Sequence, residues 1–287
     1  MNSKTNKIAL GTVQFGVHYG ISNTHGVPSD AVLEVILAVA EENRILQLDT
    51  AFVYGNAEER LGLFVDNRFQ IITKFPVVAS QEELENTLEQ SLTRLKVNSV
   101  YGYLAHNADI LIENPSLWKK LQQAKAEGKI EKIGFSLYYP EQLEKLLGLN
   151  IVPDLVQLPY SILDRKFESN LAELKQLGTE IHVRSVFLQG LYFMNPKQLP
   201  EKLQPLTEAL TELQTICAEN KVAVGDVALN YVISNPNIDK VVMGVETAAQ
   251  LQQNIEMVSK WKANSDLFSK IEAIEINDKS LLNPVNW

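Results

Sequence analysis

The sequence holds a single cysteine, Cys217, among 287 residues. That count excludes a disulfide within one chain and a thiolate cluster around a metal, so no metal site is expected. Cys217 sits in the helical segment LTELQTICAEN, where it reads as a small apolar side chain rather than a nucleophile. Positive charge is also scarce: 26 Lys and Arg stand against 35 Asp and Glu, a net charge of −9. Binding to a phosphate backbone needs a surplus of cations on some face, so a nucleic-acid partner is not expected. Long apolar runs are missing too. The greasiest stretch, AVLEVILAVA, is short and contains Glu34, and MNSKTNKIALG has no signal-peptide core. No membrane partner is therefore expected, and the expected location is cytoplasmic.

Several motifs are absent with specific consequences. No two glycines are separated by a single residue, so a G-x-G-x-x-G fingerprint does not occur. G-x-x-x-x-G-K-[ST] and H-E-x-x-H are missing as well. The usual signals of a doubly wound dinucleotide-binding sheet, of nucleotide hydrolysis and of a zinc peptidase are thus lost. A dinucleotide, if bound, is bound in another mode. No linker rich in Gly, Ser or Pro divides the chain, and no low-complexity tract or short-period repeat occurs.

What is present is an alternation. Short runs rich in β-branched residues, at 7–11, 44–50, 69–74, 99–106, 129–136, 153–160, 180–186 and 238–244, read as eight strands. Each is followed by a segment of helical period: 28–43, 57–65, 80–95, 116–128, 140–148, 164–178, 205–235 and 247–260. In the third, Ser80 and Glu83 are spaced as a capping box, and Leu84, Leu88, Leu92 and Leu95 form one apolar stripe. Gly128, Gly148 and Gly178 stand where left-handed C-caps would turn the chain back. Repeated βα units predict an α/β fold with a parallel sheet, and eight of them fit one (β/α)8 TIM barrel, a single domain over residues 1–287.

In such a barrel the chemistry sits at the C-terminal ends of the strands, which converge on one mouth. There the second strand ends in LDTAFVYGNAEERLG, with Asp49 and Tyr54; the third ends in ITK, with Lys74; the fourth ends in YLAHN, with His106. All four are predicted to face one opening. Such a set suits proton transfer: a tyrosine can donate a proton, a lysine beside it favours the phenolate, and an aspartate fixes the ammonium by an ion pair.

The segments DTAFVYGNAEERLG, IITKF and YGYLAHN resemble the three signature regions of the aldo-keto reductase superfamily. The likeness runs from IALGTVQFG through KIGFS and DLVQLPYS to VVMGVETAAQLQQN. The family's four catalytic residues match Asp49, Tyr54, Lys74 and His106, with Tyr54 as proton donor and His106 orienting the carbonyl oxygen. The resemblance implies a small-molecule carbonyl substrate, an aldehyde, ketone or sugar-derived compound, reduced with hydride from a nicotinamide cofactor.

The resemblance also implies where that cofactor lies. Ser136 and Gln157 match the positions that hold the carboxamide, although Leu137 replaces the usual Asn. Arg184 stands where many relatives carry an aromatic that stacks on the nicotinamide, a role open to a guanidinium plane, with Ser185 beside it. Gly11, Thr12, Asp49, Gly244, Gln250, Gln253 and Asn254 complete the expected cofactor-binding set. NADP is the superfamily's usual cofactor, but Glu246, Thr247 and Gln250 replace the basic residues that meet its 2′-phosphate, which predicts a weakened NADP preference and use of NAD. The loop GVHYGISNTHGV offers His18 and Tyr19 to a substrate pocket, and the tail NPVNW is placed either to close the mouth or to anchor through Trp287. The rival function is that of a cofactor-binding regulatory subunit with little turnover; a barrel isomerase or lyase is disfavoured by the Asp-Tyr-Lys-His set.

Overall fold

Eight short strands pair in chain order and close on themselves: β1 (Ile8–Gly11), β2 (Gln47–Asp49), β3 (Gln70–Phe75), β4 (Val100–Ala105), β5 (Ile130–Ser136), β6 (Leu155–Pro159), β7 (Glu180–Arg184) and β8 (Lys240–Gly244). The computed structural model describes residues 4–20, 26–262 and 264–287. Every pairing is parallel, and β8 returns to β1. This is the (β/α)8 barrel expected from the alternation. Residues 21–25 of the predicted substrate loop lie outside the described residues.

The helices among the described residues are α1 (Val13–Gly16), α2 (Asp30–Glu42), α3 (Ala57–Phe64), α4 (Gln81–Leu95), α5 (Asp109–Glu113), α6 (Ser116–Ala126), α7 (Pro140–Gly148), α8 (Glu168–Gln176), α9 (Thr207–Glu219), α10 (Val224–Ser234), α11 (Ala248–Ser259) and α12 (Ser265–Glu272). None is long and apolar enough to cross a membrane. In α4 the Ser80 hydroxyl accepts the Glu83 N–H at 3.1 Å, while the Glu83 carboxylate takes the N–H of Ala79. Leu84, Leu88, Leu92 and Leu95 are buried beneath it. Truncating one such leucine to alanine costs about 2–5 kcal/mol, because the gap left in a packed interior fills only in part.

Two local expectations are corrected. The segment 205–235 is not one helix: Lys221, at φ 55°, breaks it into α9 and α10, and Pro205 lies in a preceding 3-10 turn. Gly128 and Gly178 take the left-handed conformation at φ 78° and 80°, but Gly148 stays helical and Asn150, at φ 58°, turns the chain instead. The short helices α1, α5 and α12 are additions that the periodicity did not reveal. Cys217 is buried in the core as a small apolar group, its thiol pushed up to about 11 by burial.

The register sets what surrounds the mouth. Gly11 at the end of β1 pairs with Asp49 on one side and Gly244 on the other. Ser136 pairs with Gln157, and Pro159 with Arg184. Strand ends carrying the predicted site residues are therefore neighbours around one rim.

Candidate active site

Tyr54 is placed by a tightly packed loop rather than by a strand. Beyond β2, Thr50 N–H donates to Ile72 O and Phe52 N–H to Lys74 O, so the chain keeps pairing with β3 before it turns. Gly55 then adopts φ 58°, and a Cβ on it would overlap the Gly16 carbonyl, while a Cβ on Gly16 would overlap the Tyr54 carbonyl. The two glycines let α1 and the tyrosine loop meet backbone to backbone. Behind them Arg60 donates to Phe15 O and Pro28 O and pairs with Asp30 at 2.7 Å, and buried Glu58 accepts from Thr73 Oγ1 at 2.6 Å. Residues that look like solvent-facing charges in GNAEERLG are the clamps that fix the loop.

Lys74 is fully buried and donates to Asp49 Oδ1 at 2.6 Å and to Thr50 O at 2.9 Å. Asp49 Oδ2 accepts from Gln157 Nε2 at 2.8 Å, so both carboxylate oxygens are satisfied. The Lys74 ammonium also lies 5.5 Å from the centre of the Tyr54 ring, and His106 meets that ring edge to face at 5.6 Å. Strand ends from β2, β3 and β4 thus bring the four predicted residues together.

The electrostatics differ from the sequence expectation in one respect. Burial, then the Asp49 charge, raise Tyr54 well above its ordinary value of 10.0, and the cation that draws it down is Arg184. The Lys74 charge is already held by Asp49, so the phenol stays in its acid form. Lys74 itself is lowered by burial, against the pull of Asp49. His106 is pushed down to about 4 by burial and then by Lys74, which leaves its imidazole neutral at ordinary pH.

Over these residues opens a cleft of about 840 Å³ lined by Asp49, Tyr54 and His106 together with residues from the ends of β1, β5, β6, β7 and β8. Similarity to known proteins gives this arrangement a family. The sequence matches the aldo/keto reductase family over residues 7–276. The chain belongs to that family. It is 24% identical to the uncharacterized oxidoreductase YqkF of Bacillus subtilis over 85% of this chain and 87% of that protein. It is 23% identical to an NADH-specific methylglyoxal reductase of Escherichia coli over 61% and 59%. Its fold superposes on the glycerol dehydrogenase AKR11B4 of Gluconobacter oxydans with a TM-score of 0.74 at 20% identity, covering 93% and 90% of the two chains.

In this aldo/keto reductase the predicted cofactor-binding residues all border the same cleft. Gly11, Thr12 and Gly244 form its wall at β1 and β8, and Ser136, Gln157, Arg184 and Ser185 its wall at β5 to β7. Gln250, Gln253 and Asn254 face it from α11. Gln250 is engaged: its Oε1 accepts from Glu246 and Thr247 N–H, and its Nε2 donates to Glu246 Oε2 at 2.6 Å. Leu137 is buried in the core outside the cleft lining, and its carbonyl accepts from Arg184 at 3.1 Å. Tyr19 borders the cleft and His18 does not; Asn283 and Pro284 bring the tail to the rim, while the Trp287 indole donates to Leu281 O.

Sequence reasoning missed Gln14, Tyr138, Gln189 and Phe193, which also line the cleft. Tyr138 stood two residues past Ser136, in the loop where such a barrel collects ligand contacts; that position was its one signal. Gln189 and Phe193 had none, because they enter through an irregular 3-10 turn in which Leu188, Gln189 and Gly190 hold positive φ.

Proposed function

We propose that this chain reduces a small-molecule aldehyde or ketone, sugar-derived compounds included, to the alcohol, with hydride from a nicotinamide cofactor and Tyr54 as proton donor. The observation that carries the reading is the convergence of Tyr54, His106 and the buried Lys74–Asp49 pair beneath one large cleft.

The cleft fits a dinucleotide. Gln14 Oε1 is buried without a hydrogen-bond partner, an acceptor suited to a ribose hydroxyl or an amide N–H. Gly244 packs so closely on the Gln14 amide that a Cβ would overlap it, so β8 ends there in bare backbone that a ligand can approach. Gly11, Thr12, Ser136, Gln157, Arg184, Ser185, Gln253 and Asn254 would complete the holding set. The bound nicotinamide supplies the hydride.

The chain's own residues handle the proton. Neutral Tyr54, kept in acid form by burial and Asp49, gives its proton to the carbonyl oxygen as that oxygen becomes alkoxide-like. His106, kept neutral, donates an N–H to the same oxygen without adding a competing charge. Asp49 and Lys74 hold each other, and Gln157 holds Asp49, so the acid sits on a rigid base. Glu246, at the start of α11, repels a 2′-phosphate and supports NADH over NADPH. The NADH-specific relative supports the same choice. The test is fluorescence titration with NADH and NADPH, then a screen of aldehydes, ketones and oxidised sugars. Tight cofactor binding with no turnover on any carbonyl overturns the reading in favour of a regulatory subunit.

A further inference from the structure

The cleft carries one cation that the fold does not neutralise. Arg184 stands at the end of β7, half-buried, with its guanidinium 4.5 Å from the centre of the Tyr138 ring. Its hydrogen bonds go to neutral acceptors, Leu137 O at 3.1 Å and Ser185 Oγ at 3.4 Å, and among the described residues it forms no ion pair. Nearby acids are already taken: Asp49 is held by Lys74 at 2.6 Å and buried Asp164 by Lys166 at 2.7 Å. Arg184 is the one Lys or Arg among the described cleft-lining residues. Five N–H donors in a planar fork, two of them spent on neutral oxygens, leave an edge suited to a carboxylate or phosphate.

The position of this charge matters as much as its freedom. Arg184 stands at the strand-end rim, paired with Pro159 of β6 and bonded to the carbonyl of Leu137 just past β5, and it lines the same cleft as Tyr54 and His106. Glu246 borders the cleft from the start of α11, after the adjacent strand β8, and is clamped by Gln250. In a chain of net charge −9, an unpaired buried-edge cation beside the proton donor is a selective feature rather than a share of a general positive field.

We propose that Arg184 selects anionic carbonyl substrates, compounds whose aldehyde or ketone is joined by a short carbon chain to a carboxylate or phosphate. This rests on the carbonyl-reductase reading and names its substrate class. The side of the guanidinium turned away from the Tyr138 ring is left for stacking while its edge takes the anion, so the role is compatible with cofactor contact at the same residue.

The test uses matched substrates with the enzyme at a saturating concentration of whichever of NADH and NADPH it binds more tightly: 4-oxobutanoate against butanal, and glyceraldehyde 3-phosphate against glyceraldehyde. The wild-type kcat/KM is expected to favour at least one anionic member by about tenfold or more, the usual scale of a charge-assisted contact in a partly dry site. Which pair shows it distinguishes carboxylate from phosphate. Arg184→Gln is expected to collapse that anionic-to-neutral ratio, and Arg184→Lys to keep part of it. Any effect on cofactor binding falls on both members of a pair and cancels in the ratio. Neutral carbonyls reduced as well as their anionic partners, or a ratio unchanged in Arg184→Gln, overturns the proposal and leaves the reductase reading standing. No turnover of any member, neutral or anionic, overturns both.

Discussion

Lys74 and Asp49 form an ion pair at 2.6 Å in which the lysine side chain has no exposed surface and the aspartate side chain only 5%. Such a pair is held by bonds to both carboxylate oxygens and to two of the three ammonium hydrogens: Thr50 O accepts a second ammonium hydrogen, and Gln157 Nε2 donates to the second carboxylate oxygen. Lys74→Met leaves a buried carboxylate without its cation. It is expected to lower stability by about 3–5 kcal/mol in denaturant titration at neutral pH. Adding Asp49→Asn removes the stranded charge and should recover part of the loss; a double variant as unstable as the sum of the two single ones contradicts the pairing.

Tyr54→Phe removes the proposed proton donor and little else, since the ring keeps its edge contact with His106. The expected result is a fall in kcat of about 10²–10⁴-fold with cofactor affinity unchanged by fluorescence titration. Turnover within a factor of about three of wild type would show that another group supplies the proton.

The expected pH dependence follows from the two groups proposed to meet the carbonyl. His106, ordinarily near 6.5, is pushed down to about 4 by burial and the Lys74 charge, so it gains no proton until the medium is acid. Tyr54 is raised above 10.0, so it loses none until the medium is strongly alkaline. Between these limits the free enzyme does not change protonation at either residue. For a neutral carbonyl, kcat/KM for reduction should be flat from about pH 5.5 to about pH 9. An inflection near pH 6.5 that disappears in His106→Gln refutes this picture of the site.

Much of the fold and of the site is legible in the sequence, and the reason is physical. Strand-end residues of a parallel barrel converge on one face whatever the loops do, so Asp49, Lys74 and His106 can be placed from the alternation alone. Gln157 is legible as a site residue, yet its bond to Asp49 is not, because it joins residues 108 apart in sequence. The upward displacement of Tyr54 runs against the sequence expectation that Lys74 favours the phenolate: the letters put a lysine near it, but do not say that Asp49 already holds its charge. Glu58 and Arg60 look like surface charges because nothing in GNAEERLG says that α3 is pressed between β3 and α1. Gln189 and Phe193 are hidden for another reason. Irregular turns with positive φ at non-glycine residues leave no periodicity to read.

In the proposed function, the choice between NADH and NADPH turns on Glu246. The Glu246 carboxylate is held by Gln250 Nε2 at 2.6 Å beside the start of α11, where it borders the cleft. Glu246→Lys reverses that charge. It should raise the efficiency with NADPH relative to NADH by about tenfold or more, with a smaller gain for Glu246→Gln. A wild-type enzyme that already prefers NADPH, and is indifferent to both substitutions, would place the 2′-phosphate elsewhere.

At the opposite end of the barrel Glu180 gathers three partners: Tyr101 Oη at 2.6 Å, His182 Nε2 at 2.6 Å, and Lys132 Nζ. Burial alone would raise this carboxyl, but His182, Lys132 and Tyr101 together outweigh it and hold Glu180 well below its ordinary 4.5. A carboxyl depressed in the folded state stabilises the fold fully above its unfolded pKa, and that contribution is lost as pH falls through the folded value. Glu180→Gln keeps the shape and removes the charge. At pH 7 it should cost about 1–3 kcal/mol in denaturant titration, and the gap to wild type should narrow steadily below about pH 4.5. Catalysis at the mouth should be little changed, since these residues lie at the start of β4, β5 and β7 rather than at their ends. A gap that persists undiminished into acid would mean that Glu180 acts through packing and not through its charge.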